Sequence, residues 1–128
     1  MSALSIWIDH KVAKIIHFTP EERKVSKIEA SGQHHPKESL GKNHKIQESD
    51  EEKFYRKVSI ALEKIDAQEY LILGPGVARQ HFETHLKKHH PSLVPRIIAN
   101  EKLDRVSEND LIDFSMKFFR HAHLFQAL

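Results

Sequence analysis

Residues that could carry chemistry fall in four places in this 128-residue chain. The densest is 31–49, SGQHHPKESLGKNHKIQES, whose first part gathers His34, His35, Lys37, Lys42, His44 and Lys45. Lysines at this density can follow an RNA backbone through phosphate contacts, while the plainer reading is a solvated loop. The second place is His81, His85 and His89, at i, i+4 and i+8. On a helix they share one face, where two imidazoles can bind a divalent metal. No Cys or carboxylate completes a ligand set in sequence, and Phe82 stands where a zincin needs Glu. A solvent-facing row of histidines without metal is therefore the simpler expectation. The third is Asp9, placed where a metal-dependent nuclease could hold a ligand. Such a site needs several carboxylates on the same metals, and most other acids here lie in turns or at helix starts. Asp9 reads as a turn former. The fourth is Gly74-Pro75-Gly76, which could offer backbone N–H groups to a phosphate. Pro75 removes one donor, and the Lys and Ser/Thr of a phosphate-binding loop are absent, so a structural turn is expected.

The elements that must position these residues follow from periodicity. Tyr70-Leu-Ile-Leu73 is a short apolar run, long enough for a strand buried on both faces. The Gly-Pro-Gly turn follows, and then Val77, Phe82 and Leu86 recur at helical spacing as far as His89, where Pro91 stops the helix. This strand–turn–helix is half of a βαβ unit and is expected to supply the central strand. Upstream, Ile6 and Ile8 face one way and Trp7 the other, Asp9-His10-Lys11 closes a hairpin to Val12–Phe18, and Val25–Ala30 follows as a third strand. Ser49-Asp-Glu-Glu52 matches a capping box, and Phe54, Val58, Ala61, Leu62 and Ile65 give an amphipathic helix. Val94–Ala99 reads as the last strand. Ser107 caps a terminal helix carrying Leu111, Ile112, Phe114, Ser115, Phe118 and Phe119. The order β-β-β-α-β-α-β-α predicts an α/β domain with a mixed five-stranded sheet, helices packed on it, ribonuclease H-like in outline. One domain over 1–128 is expected, with 31–49 a long mobile loop and 121–128 a frayed tail.

Composition excludes several classes. Cys is absent, which rules out a disulfide framework, a thiolate metal site and a Cys nucleophile. Lys and Arg number 20 against 18 acids, so charge alone demands no nucleic acid. The 11 histidines are many for this length and make the chain distinctly more basic below about pH 6.5. Neither a membrane span nor a signal-peptide h-region is visible, so a cytoplasmic protein is expected.

Three stretches carry a family resemblance. They are Ile6-Trp-Ile-Asp-His-Lys-Val-Ala-Lys-Ile-Ile16, Tyr55-Arg-Lys-Val58, and Leu71-Ile-Leu-Gly-Pro-Gly76 with Phe82. In order and spacing, over roughly Ser5 to Arg120, the chain resembles the middle domain of the archaeal and eukaryotic release-factor and Pelota family, as a bacterial stand-alone relative. In release factors, the resemblance implies, the loop matching 31–49 carries a Gly-Gly-Gln motif that promotes peptidyl-tRNA hydrolysis. Here that loop reads Ser31-Gly32-Gln33, with Ser in place of the first Gly. The resemblance implies a non-catalytic, translation-related module that associates with ribosomes or structured RNA and needs no cofactor. RNA contacts are expected from Lys37, Lys42, Lys45, His34, His35 and His44. The alternatives are a weak peptidyl-tRNA hydrolase acting through Gln33, and a protein-binding or self-assembling module such as a homodimer formed through a sheet edge or Leu124-Phe125.

Overall fold

Alternation along β1 (Ala3–Ile8) sends Leu4, Ile6 and Ile8 to one face of a sheet and Ala3, Ser5 and Trp7 to the other. All six are buried, so both faces of this strand are covered. The computed structural model describes residues 2–30 and 49–127, with side chains as far as Ala122. β1 pairs antiparallel with β2 (Val12–Phe18), and β2 pairs antiparallel with β3 (Arg23–Glu29). β4 (Glu69–Gly74) and β5 (Ile97–Lys102) add in parallel, giving the order β3-β2-β1-β4-β5. This is the expected mixed, ribonuclease H-like sheet. The central position belongs to β1 rather than to the Tyr70–Leu73 strand, which lies one place over. Both runs are fully buried, and burial alone cannot rank two interior strands.

The helices form the outer layers. α1 (Asp50–Glu63) and α2 (Ala78–His89) lie on one face. There Phe54, Val58, Leu62, Phe82 and Leu86 meet Leu4, Ile6, Ile15, Tyr70 and Ile72. α3 (Glu108–Ala127) covers the other face, packing Leu111, Ile112 and Phe119 against Trp7, Ile16, Leu71 and Leu73. Burying each large side chain stabilises the fold by about 1.5–3 kcal/mol. Ser5 and Ser115, fully buried between β1 and α3, satisfy each other through a 2.9 Å hydroxyl–hydroxyl bond. The α3 backbone stays helical through 121–127, the stretch read from sequence as the tail. Among the described residues no helix is long and apolar enough to cross a membrane.

Local chemistry sets the element ends. Ser49 Oγ accepts from Glu52 N at 3.0 Å, and Ser107 Oγ from Asp110 N at 3.0 Å, capping α1 and α3. α2 starts at Ala78 without a side-chain cap. Val77, expected on its buried face, is 49% exposed because it precedes the first helical turn. The last strand also begins later than its composition suggested. Pro91–Arg96 forms a 3-10 helix, and pairing starts only at Ile97. Pro91 and Pro95 fix φ and donate no N–H, which suits a tight turn and not a ladder. β3 is an edge strand, exposed except at half-buried Ile28, and its Lys24 and Lys27 discourage edge-to-edge association.

Candidate functional site

The carboxyl ends of β1 and β4 lie side by side, and the chain converges on them from several directions. At the hairpin, Asp9 Oδ1 accepts from the backbone N–H groups of both Lys11 and Val12 at 2.8 Å. Its other oxygen, Oδ2, lies 3.9 Å from the Arg105 guanidinium. Asp9 is thus a turn former tied to the β5–α3 connection. Among the described residues no group of three or more His, Asp or Glu is placed to hold a metal ion. The same connection is held down by Trp7, whose Nε1 donates to Leu103 O at 3.0 Å, and by Leu103 N, which donates to Gly74 O at 2.8 Å. Arg105 lies over the Trp7 ring, 5.9 Å from its centroid.

Strand register then builds a basic row. Lys14 stands opposite Trp7 across β1–β2, and Lys27 stands opposite Lys14 across β2–β3. With Arg105 and Lys11 they line a cleft of about 730 Å³. Its carboxylates are Glu29 and Asp50. Glu29 pairs with Lys27 at 3.3 Å, and Asp50 occupies the first turn of α1, where a negative charge favours the helix. Ala30 and Asp50 both line this cleft, so the chain leaves for 31–48 and returns from it at the cleft rim.

A second polar cluster fills the seam between α1 and α2. Tyr55 OH donates to Glu51 Oε2 at 2.9 Å, and His81 Nδ1 lies 3.3 Å from the same oxygen. The Tyr55 bond holds the Glu51 carboxyl below its usual range, against a smaller opposing effect of burial, with His81 and His10 adding to the lowering. Burial, and then the bond to Glu51, pushes the Tyr55 phenol well above the usual tyrosine value. Further along, His90 Nδ1 lies 2.7 Å from Glu63 Oε2.

The three helix-spaced histidines do not form a solvent-facing row. His81 is exposed, but His85 is only 7% exposed, its ring 6.0 Å from that of Tyr55 and 4.6 Å from that of His89. The approach of α1 buries the middle of the row, and single-helix spacing cannot foresee that neighbour. Gln33, His34, His35, Lys37, Lys42, His44 and Lys45 lie outside the described residues. Sequence reasoning missed Lys11, Lys14, Lys27 and Arg105. Counting outward from the two hairpin turns would have placed Lys14 and Lys27 side by side, whereas Arg105 sits in a connection with no periodicity to mark it.

No protein-family model matches the sequence, and no curated protein matches it. Solved structures do match. Pelota from Archaeoglobus fulgidus superposes with a TM-score of 0.65 at 15% identity, over 91% of this chain and 31% of that one. Pelota from Thermoplasma acidophilum gives 0.63 at 17% identity, over 89% and 31%. An archaeal translation termination factor gives 0.56 at 14% identity, over 98% and 42%. At these identities the likeness is one of fold, and this chain spans about a third of either Pelota structure. The domain is Pelota- and release-factor-like in fold, as the three sequence stretches led one to expect.

Proposed function

We propose that this chain is a translation-related module that associates with ribosomes or structured RNA in the cytoplasm and catalyses no reaction itself. The observation that carries this reading is the fold, shared over nine-tenths of the chain with Pelota. The basic cleft supports it, since Ala30 and Asp50 line it and the sequence between them carries three further lysines, Lys37, Lys42 and Lys45. Lysine-rich surfaces bind nucleic acid through phosphates and release counterions as they do so. Purified protein is expected to co-sediment with ribosomes at low salt and to be lost steeply at moderate salt. Failure to sediment at either salt overturns the reading.

A further inference from the structure

The cleft beside the β1–β2 hairpin carries more cationic charge than its ion pairs account for. Lys14 and Lys27 are directly opposed on β2 and β3, an arrangement that costs stability because like charges face each other across a strand pair. Neither Lys11 nor Lys14 has an ion-pair partner among the described residues. Arg105 is positioned by the Trp7 face and by Asp9, yet its side chain is 68% exposed. Neighbouring strands lie about 4.8 Å apart. The row from Arg105 above Trp7 on β1, through Lys14, to Lys27 therefore spans roughly 10 Å, more than a single small anion needs. Four cationic side chains meet two lining carboxylates, Glu29 and Asp50, with Asp9 beside Arg105 as a third. Glu29 is engaged with Lys27, Asp9 with Arg105, and Asp50 sits in the first turn of a helix, which leaves Lys11 and Lys14 unmatched among the described residues.

We infer that Lys11, Lys14, Lys27 and Arg105 form a binding site for the phosphodiester backbone of RNA, independent of base sequence. The inference rests on the functional reading above and gives it a location on the folded sheet. Charge complementarity favours an extended polyanion over a metal or an apolar peptide. Fixed strand positions present Lys14 and Lys27 without the ordering cost of a free loop. The guanidinium can donate two parallel hydrogen bonds to a phosphate. Contacts of this kind fix position and carry no sequence information.

The test measures binding of the full chain to a fluorescein-labelled 16-base-pair RNA duplex by anisotropy across a salt series. For the double variant Lys14→Gln/Lys27→Gln, affinity is expected to fall about tenfold and the slope of log affinity against log salt to lose about two. Its melting temperature is expected to be unchanged or raised, because the cross-strand repulsion is gone. Lys24→Gln, on the opposite face of β3, is expected to leave both affinity and slope as they are. If the wild type binds and the double variant keeps its affinity and slope, the site is overturned while ribosome association can stand through 31–48. If the wild type shows no salt-dependent RNA binding, the site is again overturned. Co-sedimentation with ribosomes then decides separately whether the functional reading survives through protein contacts.

Discussion

Tyr55 and Glu51 show how one hydrogen bond moves two titrations. The phenol donates to the carboxylate across one turn of α1, which favours ionised Glu51 and un-ionised Tyr55 together. Glu51 is lowered from 4.5 in the fold, so its contribution to stability is present above that value. It is lost as pH falls through the lower, folded value. Tyr55 is raised from 10.0, so its contribution is complete below pH 10.0 and is lost as pH rises beyond it. Tyr55→Phe removes the donor. The Glu51 carboxyl, followed by carbon NMR, is expected to titrate closer to 4.5 than in the wild type. Alkaline destabilisation is expected to shrink to the share of Tyr70, the other phenol that burial raises. An unchanged Glu51 titration would show that the bond does not set it.

The strand–turn–helix unit at Gly74-Pro75-Gly76 assigns its two glycines different physical roles. A Cβ on Gly74 would run into the Ile8 carbonyl oxygen of the neighbouring chain segment, whereas a Cβ on Gly76 meets nothing. Neither glycine has a left-handed φ. Gly74→Ala is expected to destabilise the fold by about 3 kcal/mol. Gly76→Ala should be neutral or stabilise it by up to about 1 kcal/mol through the unfolded chain. Urea titration of both variants distinguishes this from a turn that depends on both glycines alike. The contrast also marks what sequence makes legible. Asp9, Ser49 and Ser107 were readable because each bonds backbone only two or three residues away. The element order was readable because periodicity and turn residues agree along the chain. The Gly74 packing role, the burial of His85 and the late start of β5 were not, since each depends on what another element brings alongside. The cleft lies between these cases. Its lysines follow from register once the hairpins are accepted, but Arg105 joins them only through the tertiary path that Trp7 fixes.

At the scale of the whole molecule, two cores share one sheet. The α1/α2 core and the α3 core draw on alternate residues of the same strands, so Leu4 and Ile6 belong to one while Ala3 and Trp7 belong to the other. A strand cannot keep its pleat on one face and lose it on the other, and the two cores are therefore coupled through β1, β2 and β4. The only Trp, Trp7, lies in the α3 core. Phe82 is fully buried on the opposite side. Phe82→Ala leaves a cavity there and is expected to cost about 3–5 kcal/mol. If the sheet couples the layers, Trp7 fluorescence and helical circular dichroism shift to lower urea together, with coincident midpoints, as a two-state domain of this size requires. Separate midpoints, with Trp7 reporting the later one, would mean that α3 and the strands beneath it hold together after α1 and α2 have left. The basic row, though not the Asp50 rim, would then survive partial unfolding, because Trp7, Lys14 and Arg105 all lie on the α3 side of the sheet or in the connection leading to that helix.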